Sequence, residues 1–510
     1  MKGNINNMIR KILFIDAEES KAATGVKMQW GHHPLGVLYL ASYIKKSYPD
    51  MKIQVFHTLT SEDINKDLSN IIADFQPDLV GIRSLSRFKQ QMKDIALFVK
   101  KIIPDIPLIA GGPYPSVSYT EVLEDPNIDI VIIGEGEATL LEIIDYWQNK
   151  KDIPKNISGT AVMDGKSVKV NKKRSFLDVN LIPYPDHSLI DLKMYSHVYN
   201  QAFIPSDDCA YIFSSRGCPY KCYYCHNFFG KNVRRRTAQN IAGEIKTYID
   251  DKGIKKFVFV DDIFNVPLEN GKHVLKYLIH EFKNENLKLY FPNGLRVDCI
   301  DDEFIDLLKM ANTQHVSLAV ETASTRLQKE IQKNLDLKKA KINIEKISRD
   351  IITTVLFMVG FPSETYEEAN DTILFAEQLK YVVQPVLSIL RVYPHTPVYN
   401  LLKISKDQDE ALKLQAAMEL SPNIFEGESL EAAPGFYGDL FSEDIVPLKS
   451  GDIKKIQYLW LKRVIYNKNR IRNSHHVIRR YYSNSDLINY YKLLYRNPHF
   501  SQNDLNRLLN

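Results

Sequence analysis

Short apolar runs recur along this chain, and most are followed by a segment with helical spacing. That alternation constrains the fold more than any single residue does. A strand that returns parallel to its neighbour needs a crossover, and the crossover is usually a helix. The first five runs are 11–16, 52–56, 79–82, 107–110 and 128–133, with helical segments at 37–46, 64–75, 92–103 and 138–148. They predict a doubly wound, Rossmann-like α/β domain over residues 1–175, whose ligands bind beyond the carboxyl ends of the strands. Pieces at 159–163 and 167–170 read as a small hairpin around Asp164-Gly165, and 176–205 as a linker stiffened by Leu181-Ile-Pro-Tyr-Pro185. Lys172-Lys173-Arg174 reads as a solvated turn. Six more runs, at 211–215, 257–260, 288–292, 316–320, 353–359 and 386–392, predict a (β/α)6 partial TIM barrel over 206–400. Barrels place chemistry at the C-terminal ends of their strands. Residues 401–510 read as a helical C-terminal domain, basic and aromatic from Ile453 onward. A cap on the barrel is the expected role, with peripheral membrane contact through the basic helices as the rival.

A formal charge of +4 over 510 residues does not predict nucleic-acid binding. No run of 18 apolar residues appears, so no transmembrane span is expected. Five cysteines, three of them clustered, argue against a disulfide scaffold and for a reducing, cytoplasmic setting.

The three clustered cysteines stand in Cys218-Pro-Tyr-Lys-Cys222-Tyr-Tyr-Cys225-His226, directly after the first run of the barrel. A closed zinc site needs four ligands, and no second Cys-x-x-Cys pair exists. Cys222-Tyr-Tyr-Cys225-His226 matches the c-type haem attachment pattern, which belongs to exported proteins. A redox Cys-x-x-Cys would leave Cys218 without a role. Three thiolates holding three irons of a 4Fe–4S cluster, with the fourth iron open for chemistry, use all three residues. Cys209 and Cys299 lie outside the motif and read as buried small hydrophobes.

The spacing C-x3-C-x2-C, with aromatic Tyr224 before the last cysteine, resembles the radical SAM (S-adenosylmethionine) superfamily. The resemblance implies a 4Fe–4S cluster on Cys218, Cys222 and Cys225. It also implies SAM chelated to the fourth iron, and reductive cleavage of SAM to a 5′-deoxyadenosyl radical. The strand ends of the barrel carry further matching pieces. Asp261-Asp262 follow the second strand, where carboxylates suit the SAM ammonium or a ribose, or cap the next helix. Arg296 follows the third and suits a carboxylate by bidentate pairing. Glu321 ends the fourth, and Gly360 opens the turn after the fifth. With Tyr224, Asp261, Arg296, Glu321 and Gly360 are the expected SAM contacts. Two departures stand out: Thr322-Ala323 and His395 occupy places where the family often has glycine. His395 is therefore a candidate substrate-specific residue, with an ordinary loop histidine as the alternative.

The first domain resembles the cobalamin-binding domain found ahead of many radical SAM domains. The matching pieces are Pro34-Leu35-Gly36, the turn Ser84-Leu85 after the third strand, Gly111-Gly112 and Gly134-Glu135-Gly136. The glycines let backbone approach a large flat ligand, or serve only as tight turns. Many such domains carry D-x-H-x-x-G after the first strand, whose His ligates cobalt from below. Here Asp16 is followed by Ala17 and Glu18, as in the radical SAM subgroup that binds cobalamin without that ligand. His32 and His33 are expected as solvated loop residues.

The resemblance implies a cobalamin-dependent radical SAM methyltransferase acting on an unactivated carbon of a small-molecule, natural-product or peptide substrate. An electron donor such as flavodoxin or ferredoxin is implied with it. The alternatives are a cyclisation or rearrangement without methyl transfer, and a cobalamin-sensing binding protein with a structural cluster.

Overall fold

The computed structural model describes residues 8–18, 29–150, 152–200, 202–226, 228–403, 405–417, 436–495, 497 and 499–509. The chain divides into two compact units. One comprises Met1–Asn200 with Pro205–Asp207, and the other Gln201–Ile204 with Asp208–Asn510.

In the first unit, strands β1 (Lys11–Ala17), β2 (Lys52–His57), β3 (Leu79–Ser84), β4 (Leu108–Gly111), β5 (Ile130–Ile132), β6 (Thr160–Asp164) and β7 (Ser167–Val170) form one sheet. Their order is β2-β1-β3-β4-β5-β6-β7. The first five are parallel, and the hairpin β6–β7 extends the same sheet antiparallel to β5 rather than standing apart. Side chains of a strand alternate between faces, and β1 shows it. Ile12 and Phe14 pack with α1 (Leu35–Ser47) and α4 (Glu137–Asn149). Leu13, Ile15 and Ala17 pack on the opposite face with α2 (Ile64–Phe75) and α3 (Lys89–Ile102). Two buried faces explain why these strands read as continuous apolar runs. The order reverses between β1 and β3, the switch point where open α/β sheets bind ligands.

The segment after β7 folds with this unit. Val198–Tyr199 pairs with Gln29–Trp30, and Lys45 bridges to Asp186 at 2.8 Å. Residues 176–200, expected as a linker, are thus tied to the first unit.

In the second unit, β8 (Ala210–Ile212), β9 (Lys256–Phe259), β10 (Lys288–Leu295), β11 (Thr313–Glu321), β12 (Ile352–Val359) and β13 (Gln384–Ile389) form a six-stranded parallel sheet in sequential order. Helices α5 (Ala238–Lys252), α6 (Leu268–Glu281), α7 (Asp302–Met310), α8 (Leu337–Ser348) and α9 (Tyr366–Glu377) make the crossovers. On β12, Val355, Phe357 and Val359 are buried, and Phe357 meets Phe375 of α9. Leu356 and Met358, on the opposite face, are half-buried. The same alternation on β13 leaves Val386 and Ser388 half-buried beside them. This is the (β/α)6 partial barrel, with every strand's carboxyl end at one rim.

The C-terminal helices α10 (Ser450–Trp460), α11 (Lys468–Ile478), α12 (Asn484–Leu494) and α13 (Gln502–Leu509) pack on the barrel. A few of their basic residues are engaged there. Arg470 is buried and donates to the carbonyls of Val382, Val383, Val464 and Ile465 at 2.7–3.0 Å. Arg463 pairs with Glu377 and Arg480 with Asp350. Among the described residues, no helix is long and apolar enough to cross a membrane.

Candidate active site

The cysteine loop is built on a neck. Ser215–Arg216 pairs antiparallel with Arg234–Arg235, closing off the segment that carries the three thiols. Asp261, just past β9 and only 3 % exposed, accepts from the hydroxyls of Ser214 and Ser215 at 2.7 and 2.6 Å. Burial pushes its carboxyl up to about 6, against the pull of those hydrogen bonds. Gly217 follows at φ 104, and a Cβ there would lie 2.7 Å from Asn232 O and 3.0 Å from Gly230 O. Only glycine fits that turn. Its amide donates to Asp262 at 3.3 Å.

The rest of the loop is fastened to other strand ends. The Tyr223 amide donates to Ile331 O, beyond β11, at 3.1 Å. The Val398 amide, beyond β13, donates to Tyr223 O at 3.0 Å. His226 donates through Nε2 to Pro394 O at 2.8 Å, so this histidine is engaged with backbone. Cys218 and Cys222 are half-buried, while Cys225 reaches the surface. Desolvation, then the neighbouring thiols of Cys222 and Cys218, push the Cys225 thiol up to about 12. Burial raises Cys218 as well. Burial thus raises both Cys218 and Cys225, and a cation stabilises such a site, because a metal deprotonates coordinating thiols. The donor set fits a cluster held by three thiolates.

Around this loop the expected SAM residues converge on the same rim, each already tied into the protein. Tyr224 lies against Phe361, with ring centroids 5.9 Å apart. Glu321 ends β11 at φ 69, beside a register slip, and pairs with Lys333 at 2.9 Å. Arg296 meets its carboxylate in Asp298, at 2.6 and 2.9 Å. Its remaining donors reach the carbonyls of Lys333 and Asn334, and its guanidinium stacks on Tyr220 at 4.3 Å. It therefore brackets the cysteine loop to the Lys333 segment. Gly360, at φ 87, donates to Glu364 at 2.5 Å, and its carbonyl accepts from Tyr437 at 2.6 Å. A Cβ on Gly360 would meet Phe436 at 2.8 Å. Burial pushes the Glu364 carboxyl up to about 8, against two amide donors. His395 is exposed at φ 64. Cys209 is buried as expected, whereas Cys299 is half-buried beside the Arg296 carbonyl.

In the first unit the expected cobalamin residues line the strand ends. Pro34 precedes α1, Leu35 is buried, and Gly36 is exposed with open space around a Cβ. Gly134, at φ 83, also has open space, and its amide donates to Ser116 at 3.0 Å. Glu135 is half-buried, and a Cβ on Gly136 would already be close to Leu40, at 3.1 Å. Gly112, after Gly111, has φ 92 and abuts Arg83 and Ser84. The Ser84 hydroxyl donates to Leu85 O at 3.1 Å. Neither Gly36 nor Gly134 is crowded, so the described residues leave this edge open to a ligand.

Sequence reasoning missed a buried ionic cluster at the switch point. Asp16 pairs with Arg83 at 2.8 Å, and Glu18 with Arg87 at 3.1 Å. His57 Nε2 lies 3.4 Å from Glu18, and its Nδ1 lies 2.9 Å from the Tyr195 hydroxyl. Burial alone would raise the Glu18 carboxyl, but His57, then Arg83 and Arg87, hold it at about 2. His33, expected in solvent, is 4 % exposed. It packs on Tyr195 and donates to Ser206 O at 2.6 Å. Only the D-x-H spacing around Glu18 pointed here.

Comparison with known proteins agrees with the two domains. Residues 212–376 match the radical SAM superfamily, and residues 23–144 match the B12 binding domain. The chain is thus a radical SAM enzyme with an N-terminal B12 binding domain, and its cofactors are a 4Fe–4S cluster, SAM and cobalamin.

Among its relatives is an uncharacterized methyltransferase of Pyrococcus horikoshii, 28 % identical over 72 % of this chain and 78 % of the relative. Another is the cytidylyl-2-hydroxyethylphosphonate methyltransferase of Streptomyces wedmorensis, 25 % identical over 68 % of this chain and 73 % of that protein. In fold the chain is similar to the radical SAM methyltransferase TsrM of Kitasatospora setae, solved with cobalamin and a [4Fe-4S] cluster. The TM-score is 0.65 at 18 % identity, covering 79 % of this chain and 78 % of that one. It is also similar to the cobalamin-dependent SAM radical enzyme OxsB, with TM-score 0.64 at 14 % identity, covering 99 % and 84 %.

Proposed function

We propose that the chain is a C-methyltransferase that uses SAM, a 4Fe–4S cluster and cobalamin to methylate an unactivated carbon of a small-molecule, natural-product or peptide substrate. The observation that carries this reading is the cysteine loop fastened at the rim of a parallel barrel, in a chain that also holds a B12 binding domain. When bound, the cluster supplies the electron that cleaves SAM, and cobalamin carries the methyl group.

The protein's own part is to hold and to shield. Cys218, Cys222 and Cys225 ligate the cluster, and Asp261, Gly217 and Arg296 fix the loop that presents them. Tyr224, Glu321 and the Gly360 turn border the place for SAM. The half-buried face of Leu356, Met358, Val386 and Ser388 offers a mainly apolar wall that limits water. Gly36, Ser84, Leu85, Gly111, Gly112 and Gly134 line the cobalamin edge. A one-electron donor of the flavodoxin or ferredoxin type and a cytoplasmic setting belong to the same proposal. The pairing of Arg463, Arg470 and Arg480 favours the capping role of the C-terminal helices over membrane contact.

Cyclisation without methyl transfer is the second reading, favoured by 24 % identity to an anaerobic magnesium-protoporphyrin IX monomethyl ester cyclase of Cereibacter sphaeroides, over 78 % of this chain and 64 % of that protein. Product counting separates the two. Methylation yields S-adenosylhomocysteine and 5′-deoxyadenosine together, with one methyl gained by substrate. 5′-Deoxyadenosine formed with product but without S-adenosylhomocysteine contradicts the methyltransferase reading.

A further inference from the structure

Two charged side chains bracket the cysteine loop without being among its ligands. On one side is Lys231. The carbonyl before it, that of Gly230, accepts from the Cys218 amide at 3.2 Å. The Lys231 ammonium donates to Tyr220 O, midway between Cys218 and Cys222. On the other side is Asp262, past β9, which accepts from the Gly217 amide at 3.3 Å, one residue before Cys218. Both residues are exposed. Their charges reach the thiols with opposite effect. Burial does most to raise Cys218 and Cys225; the Asp262 carboxylate raises both further, and the Lys231 ammonium lowers both.

One other cation touches this loop, and it is already balanced. Arg296 stacks on Tyr220, but Asp298 takes its guanidinium through two hydrogen bonds. Lys231 is held by a carbonyl, which cancels none of its charge. A cluster held by three thiolates gains one further negative charge when it is reduced. A fixed positive charge beside it therefore favours the reduced state, and a fixed negative charge the oxidised state.

We infer that Lys231 and Asp262 are opposed fixed charges that set the reduction potential of the cluster, Lys231 bringing it within reach of a one-electron donor and Asp262 keeping it a strong reductant. The inference rests on the cluster reading of the loop. Both are positioning residues, because they act on the cluster from outside its ligand set. The competing role for Lys231 is that of a staple, and the geometry leaves a staple little to do. The pairing of Ser215–Arg216 with Arg234–Arg235 and the bond from Cys218 to Gly230 already fasten this segment. An exposed lysine that adds one more bond gives up side-chain entropy to make it.

The test is a redox titration of the full-length protein, reconstituted with iron and sulfide, without SAM and at low salt. It is followed by the electron paramagnetic resonance signal of the reduced cluster. Lys231→Gln keeps a donor for Tyr220 and removes the charge. Its midpoint potential is expected to be more negative than that of the wild type, so that at the wild-type midpoint the ratio of reduced to oxidised cluster falls by roughly three- to tenfold. Lys231→Arg restores the charge and is expected to titrate with the wild type. Asp262→Asn keeps an acceptor for Gly217 and is expected to move the midpoint the other way. Added salt is expected to shrink both shifts, because exposed charges are screened. A Lys231→Gln midpoint equal to the wild type's at full iron content overturns the inference. So does a Lys231→Arg midpoint displaced as far as that of Lys231→Gln, which marks a staple. If Lys231→Gln takes up no cluster, Asp262→Asn decides: an unchanged or more negative midpoint overturns the inference, as does loss of the cluster from both variants. No iron bound to the wild type at all overturns the cluster reading itself, and the inference with it.

Discussion

At the scale of single residues, the site depends on positions whose chemistry is not catalytic. Gly217 adopts φ 104 with backbone oxygens from two residues crowding the place of a Cβ. Gly217→Ala must move that backbone, at a cost of about 1–3 kcal/mol of local strain. The expected outcome is iron incorporation well below the wild-type level after reconstitution, with the far-ultraviolet circular dichroism unchanged. Full iron loading would contradict it. Such positions were only partly legible. The cysteine spacing was readable because three ligands fall within one short loop. The pairing of Lys333 with Glu321 and the grip of Tyr437 on Gly360 were not, because neither spacing follows a local pattern.

At the scale of elements, the turn after β12 and the C-terminal cap make two predictions. Glu364 holds that turn with a carboxyl pushed up to about 8 from an unfolded value near 4.5. A carboxyl raised in the folded state binds its proton more tightly there. Its contribution to stability is therefore complete below about pH 4.5 and is lost as pH rises through 8. Glu364→Gln keeps the acceptor and removes the charge. Its stability relative to wild type, measured by urea unfolding, should increase from pH 5 to pH 9, by a few kcal/mol in order of magnitude. A difference independent of pH would contradict this. In the cap, Arg470 satisfies four buried carbonyls and joins α11 to the segment before β13. Arg470→Ala should cost about 2–4 kcal/mol, read as a lower denaturation midpoint. Helical spacing showed these elements, but a basic stretch looks the same whether its arginines face solvent or buried carbonyls.

At the scale of the whole molecule, the alternation of strands and helices was legible throughout because both sheets are buried on their strands' apolar faces. The order of β1 to β5 and the sequential order of β8 to β13 follow from short crossovers between neighbours. Residues 176–200 were harder, since proline-rich extended chain gives no sign of what it packs on. The ionic cluster of Asp16, Glu18, His57, Arg83 and Arg87 was hidden for the same reason: it is assembled from β1, β2, β3 and the turn that follows them. The central claim is that the cysteine loop makes this chain a SAM-cleaving enzyme. It is tested most directly by 5′-deoxyadenosine formation under anaerobic conditions, with reconstituted protein, SAM and a strong reductant. The account predicts 5′-deoxyadenosine from the wild type and none from Cys222→Ala. Formation undiminished in Cys222→Ala, or none from a wild type carrying a full cluster, would contradict it.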